Sequence, residues 1–188
     1  MPDSSVTMVT VPTPHGPAAV HLHRAEEPRG ALVLGHGAGG GVAAPDLVAA
    51  TEAALPEAFS VALVEQPYRV AGRRSSPPAH QLDAVWTAVV ERLAEGELRG
   101  LPLITGGRSA GARVACRTAE ATGAAAVLCL AFPLQPPPRS GRPASPNRLP
   151  ELEAVTVPML VVQATATGSA FRPPPRVGRW CRSRATTA

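Results

Sequence analysis

The chain has 188 residues, 45% of them hydrophobic, which suits one domain with a sizeable core. Its formal net charge is +4, but residues 1–163 hold 13 Arg against 14 acids while the last 25 hold 5 Arg and no acid, so the excess sits in the tail. There is no lysine, which excludes a Gly-x-x-x-x-Gly-Lys phosphate loop; there is no apolar run of membrane-spanning length and no charged start leading into an apolar stretch, so a cytoplasmic location is expected; and the three cysteines follow no metal-ligand spacing, their odd count arguing against a disulfide framework.

Short apolar, β-branched runs alternate with longer helical patterns, as in strands joined by crossover helices into a largely parallel sheet. In chain order the expected strands are Val6–Val11, Ala18–Leu22, Ala31–Leu34, Val61–Val64, Leu101–Thr105, Ala125–Leu130 and Val157–Gln163. The first two, parted by Pro12-Thr13-Pro14-His15-Gly16-Pro17, form an antiparallel edge hairpin. Helices are expected at Asp46–Leu55, His80–Ala94 and Ala110–Ala121; the second is the clearest, since Leu82, Val85, Trp86, Val89, Val90 and Leu93 recur at three and four residues and make one apolar face. Pro133–Pro150 reads as an extended loop, either a lid-like substrate segment or a plain linker.

Two glycine motifs carry the chemistry. Gly107-Arg108-Ser109-Ala110-Gly111 follows the apolar run Leu101–Thr105 and opens a helix, where Gly-x-Ser-x-Gly makes a sharp strand-to-helix turn that lifts a serine hydroxyl clear of the backbone. Ser109 is therefore the candidate nucleophile. The pattern alone is short and also arises by chance in a Gly- and Ala-rich chain; its place between strand and helix is what gives it weight. Upstream, Gly35-His36-Gly37-Ala38-Gly39-Gly40-Gly41 follows Ala31–Leu34. Acyl transfer builds negative charge on a carbonyl oxygen, and such a loop offers bare N–H groups to it: Gly37 or Ala38 as one donor, Ala110 as the other. The same glycines also fit the spacing of a dinucleotide-binding Gly-x-Gly-x-x-Gly, a second reading that leaves the later serine motif unexplained.

These motifs, together with Val64-Glu65-Gln66-Pro67-Tyr68-Arg69, Gly72-Arg73-Arg74 and Ala131-Phe132-Pro133-Leu134, make residues 6–163 resemble the α/β-hydrolase superfamily. The likeness is to small bacterial dienelactone-hydrolase-like proteins and the related KANL/Tex hydrolase-like domains of animals. The resemblance implies an α/β fold, a mostly parallel sheet flanked by helices, truncated after the late acid-bearing strand, with a core over 1–163 and a basic, off-pattern, disordered tail over 164–188. It implies a serine hydrolase acting on a small ester-like substrate, with no cofactor or metal; the likeness to the animal domains also allows a non-catalytic interaction module. Arg69, Arg73 and Arg74 read as solvated arginines, with an anionic ligand as the weaker alternative. The tail arginines lack the interleaved aromatics of a nucleic-acid binder, so no nucleic-acid or membrane partner is expected.

The tail also conflicts with catalysis. A serine of this kind needs a base and an acid, in the order Ser, Asp or Glu, His. Here His15, His21, His23, His36 and His80 all precede Ser109, and the last aspartate is Asp83. His36 reads as a brace of its loop, and Glu120, Glu151 and Glu153 stand in places that do not match the end of a strand. The resemblance would place the acid four residues beyond Gln163, where Thr167 stands, and the base in a terminal Gly-Asp-His-Ser that the chain lacks. Reading the tail's codons in a shifted frame can turn Thr165–Ala170 into Asp-Arg-Asp-Arg-Phe-Gly and Arg184–Ala188 into Gly-Asp-His-Ser-Leu, which points to a frameshift near Ala164.

Overall fold

The computed structural model describes residues 6–135, 146–164 and 180–183. β1 (Thr7–Val11) and β2 (Ala18–His23) form the expected antiparallel edge hairpin, turning at Gly16 with φ +105°. β3 (Gly30–Gly35) and β4 (Phe59–Glu65) come next; all six residues of β3 are buried, as expected of a parallel strand covered on both faces. β5 (Leu103–Arg108), β6 (Ala126–Leu130) and β7 (Met159–Ala164) follow, and the strand order is β1-β2-β4-β3-β5-β6-β7 with one further short strand, β8 (Trp180–Ser183), on β7. From β4 onward all pairings are parallel.

The helices are α1 (Pro45–Ala54), α2 (Pro67–Val70), α3 (Ala79–Glu95), α4 (Ala110–Thr118) and α5 (Leu149–Glu153). α3 buries the six residues of its predicted apolar face. It packs with α4 and α5 on one side of the sheet, over Val20, Leu22, Val33, Val64, Val127, Cys129 and Val161. α1 packs on the other side over Leu32, Leu34, Val61 and Leu63. Strand alternation thus makes two cores, one on each face.

Beyond the sequence expectations the described residues form α2, α5, β8 and a short 3-10 turn, Leu55–Glu57, that extends α1. α2 and α5 are single turns with proline in their first two positions, where a missing N–H costs nothing. α5 begins at the end of the expected Pro133–Pro150 loop and runs three residues beyond it; of that loop, 136–145 lie outside the described residues. Of the expected tail 164–188, Ala164 completes β7 and 180–183 form β8; the rest, with Thr167 and the shifted-frame segments, lies outside the described residues.

Candidate active site

β5 runs straight into α4, and the turn between them holds Ser109 at φ 53°, ψ −104°, a left-handed conformation that costs a non-glycine residue about 1–3 kcal/mol. Two glycines make the turn possible. A Cβ on Gly107 (φ +155°) or on Gly111 would run into the Gly35 carbonyl oxygen, so α4 starts in direct backbone contact with the end of β3. Ser109 is half-buried, and its N–H donates to Leu130 O at 2.9 Å, which ties the turn to β6. Its neighbour Arg108 forms an ion pair with Asp46, Nε to Oδ2 at 2.8 Å, linking the turn to the first turn of α1.

The glycine loop meets this turn. The Cβ position of Gly37 lies 3.6 Å from Ser109 Cβ and 3.1 Å from Arg108 Nη1, so the two motifs, over seventy residues apart in sequence, share one site. His36 and Tyr68 hold the loop. His36 is buried; its Nε2 accepts the Gln66 N–H at 3.1 Å, so Nδ1 carries the proton and donates to Gly37 O at 2.8 Å. Burial lowers its pKa, against the raising effects of the Gly37 hydrogen bond and the Glu65 charge, in keeping with a neutral ring. With Gly37 O turned to the imidazole, the planar trans peptide turns the Ala38 N–H the opposite way, and among the described residues that N–H donates to no backbone carbonyl. Tyr68 meets the His36 ring edge-on at 5.8 Å and donates from its hydroxyl to Ala38 O at 3.0 Å, fixing the next peptide. Ala110, the first residue of α4, offers an N–H that no helical carbonyl can take.

The dinucleotide reading loses its footing here. Its last glycine should open a helix, yet the loop continues past Gly41 and α1 begins only at Pro45.

No described histidine is free to serve Ser109. His36 is engaged on both ring nitrogens, and His15 and His80 are exposed. His21 and His23 lie on β2, with β4 and β3 between it and β5. Of the late acids, Glu120 and Glu153 are exposed, and Glu151 is bound by Arg113 (Nε to Oε2, 2.8 Å; Nη2 to Oε1, 2.6 Å) and Arg117 (3.3 Å). Burial pushes the Glu151 carboxyl up, but the Arg113 hydrogen bonds and the two guanidinium charges outweigh it and hold the pKa below its usual value. Arg117 also forks onto Asp83 at 2.6 and 2.8 Å, so this network ties α3, α4 and α5 together. Among the described residues no group of three His, Cys, Asp or Glu could hold a metal, and no helix is long and apolar enough to cross a membrane. The Tyr68 contact with the glycine loop is not evident from sequence: the stretch that holds Tyr68 stands out there, but its partner lies thirty residues away.

A parallel sheet whose central strand turns through a strained serine into a helix, beside a glycine loop at the end of the neighbouring strand, defines the α/β-hydrolase class. The α/β hydrolase domain family matches residues 28–168, and the chain belongs to it. Solved structures agree on the fold. An α/β serine hydrolase without lid from Xanthomonas campestris superimposes with a TM-score of 0.72 at 17% identity, over 99% of this chain and 86% of that one. A serine hydrolase homologue from Coxiella burnetii gives 0.73 at 12%, over 95% and 87%, and a dienelactone hydrolase from Anabaena variabilis 0.66 at 17%, over 85% and 73%. No curated protein matches the chain in sequence.

Proposed function

We propose that this chain descends from serine hydrolases of small ester-like substrates and retains the nucleophile and oxyanion half of the machinery. In this reading Ser109 Oγ attacks the ester carbonyl, and the oxygen that gains the charge lies between the N–H groups of Ala110 and of Gly37 or Ala38. Collapse of the tetrahedral intermediate expels the alcohol, and water releases the acyl group. The observation that carries the reading is the meeting of Gly37 with Ser109 across a turn that keeps the serine strained. Turnover also needs a base to take the Ser109 proton and an acid to orient it, and triad members act as a unit whose loss costs about 10⁴ to 10⁶ in rate. The chain as given is therefore a strongly impaired hydrolase.

A non-catalytic interaction module is the second reading, favoured by one observation: no histidine follows Ser109, and the His36 ring is committed to its loop. Fluorophosphonate labelling and hydrolysis of short-chain aryl esters separate the two. Residual hydrolysis and slow labelling that both vanish in Ser109→Ala support the hydrolase; a folded protein whose residual rate is the same in Ser109→Ala supports the module.

A further inference from the structure

A cavity of about 400 Å³ opens beside the end of β4, on elements that the serine turn does not use. Its walls are the β1–β2 hairpin turn, α2 with the turn that ends it, and the start of α3. The hairpin turn packs on α2, since a Cβ at Gly16 would stand 3.5 Å from Pro67 Cβ. After α2 the chain reverses: Gly72 takes φ +72° and the Arg73 N–H donates to Tyr68 O at 2.8 Å, which carries Arg73 back to the cavity rim. Ser109, Gly37, Ala38 and Ala110 do not line it, and β4 lies two strand spacings from β5, about 10 Å.

The lining holds three kinds of group. Pro17, Pro67, Val85 and the ring of Tyr68 make flat apolar walls, and Tyr68 is held in place by its hydroxyl bond to Ala38 O. No lining residue is a carboxylate, and Arg73, which is exposed, forms no ion pair among the described residues. Its neighbours in the basic stretch, Arg69 and Arg74, are not part of the lining. Gln66 is the most deeply set polar residue, 6% exposed; its Nε2 donates to Leu82 O at 3.3 Å, which fixes the amide and leaves Oε1 buried without a hydrogen-bond partner. A buried acceptor without a donor is unfavourable, and a hydroxyl or N–H on a ligand would satisfy it. A guanidinium at the rim selects a carboxylate, whose two oxygens match its planar fork. Apolar walls with a few polar groups at set places, in a volume of about 300–1,000 Å³, are the usual make-up of a small-molecule site.

We propose that this cavity binds a small, flat carboxylic acid, with the carboxylate on Arg73, the ring between Tyr68 and the prolines, and a hydroxyl or N–H donor at its far end on Gln66 Oε1. The test is thermal unfolding of the full chain with para-hydroxyphenylacetate as the probe. A ligand of this size binds with a Kd of about 1 mM, so about 10 mM of it should raise the melting temperature by about 3–5 °C. The uncharged para-hydroxyphenylacetamide, phenylacetate without the donor, and inorganic phosphate without the ring should each give less than half that rise. Arg73→Ala should abolish the rise, whereas Arg74→Ala, next in sequence but outside the lining, and Ser109→Ala should keep it. The proposal is overturned by the absence of a rise with the probe, by a rise that survives Arg73→Ala or is lost equally in Arg74→Ala, and by equal rises with the probe and phenylacetate. A rise lost in Ser109→Ala places the acid at the serine and overturns it as well. None of these readouts needs turnover, so the site stands or falls apart from the hydrolase reading.

Discussion

Gly111→Ala sets two well-known effects against each other. The residue is the second of α4, and inside a helix alanine is favoured over glycine by about 0.8–1.0 kcal/mol, so propensity alone predicts a more stable protein. Packing predicts the reverse. The new Cβ would overlap the Gly35 carbonyl oxygen and stand 3.0 Å from Gly35 Cα. β3 cannot yield: Gly35 is paired with Val64 on β4 and Gly107 on β5, and a Trp86 ring atom stands 3.1 Å from where a Gly35 Cβ would be. α4 must therefore lift away from the sheet. Overpacking costs about 1–3 kcal/mol where neighbours can shift, and here they are backbone, so the upper end applies; after the propensity gain, about 2 kcal/mol of destabilisation remains. With a urea slope of about 1–3 kcal/mol per molar, the unfolding midpoint should fall by roughly 1 M. Gly39→Ala is the control: its Cβ meets nothing within 4 Å, and the stability should stay within about 0.5 kcal/mol of the parent. A Gly111→Ala midpoint at or above that of the parent would show that α4 does not start in backbone contact with β3.

Other outcomes can be measured in the same way. The folded pKa of His36 is lowered mainly by burial, so the unfolded chain takes up a proton first; the neutral ring's contribution is complete above about pH 6.5 and is lost as pH falls below it toward the folded value. Urea midpoints from pH 7.5 to 5 should therefore decline, with a shallower slope in His36→Asn; the remainder includes His23, lowered by burial and by neighbouring His21. Asp83→Asn breaks the fork on Arg117, whose pair is only 21% and 24% exposed, and should cost about 1–3 kcal/mol by urea titration, whereas Arg29→Ala, in a pair 63% and 71% exposed, should leave the midpoint unmoved. Cys116 and Cys129 are buried with Sγ atoms 3.4 Å apart, and their mutual hydrogen bond and burial push the Cys129 thiol well up. In a Cys181→Ser background both thiols should resist a disulfide reagent until urea opens the fold; reaction at the rate of a free thiol without denaturant would contradict this packing.

Much of the architecture was legible because its signals are local. The unbroken apolar run Ala31–Leu34 marked a strand buried on both faces, and the spacing from Leu82 to Leu93 marked the inner face of α3. The meeting of Ser109 with the glycine loop was legible too, since each motif sits at the end of its own strand and adjacent parallel strands bring those ends together. Elements held by distant partners were not. α5 is a single turn in a proline-rich stretch, anchored by burial of Leu152 and by Glu151 reaching Arg113 on α4. Tyr68 reaches Ala38 only because β4 and β3 are neighbours. β8 lies in an arginine-rich run with no apolar alternation, and its pairing to β7 is a property of the backbone.

The serine turn divides its own motif into two inheritances. Gly107 and Gly111 answer to the backbone of β3, a demand that persists whether or not the protein turns over a substrate. Ser109, as the proposed nucleophile, answers to chemistry, and at φ 53°, ψ −104° it is a standing cost to the fold. A lineage released from catalysis keeps the glycines and gains stability by exchanging the serine for glycine, the residue at ease at φ 53°, ψ −104°. The persistence of Gly-x-Ser-x-Gly among descendants is thus uninformative at its glycines, and the serine alone would report whether the proposed chemistry is kept.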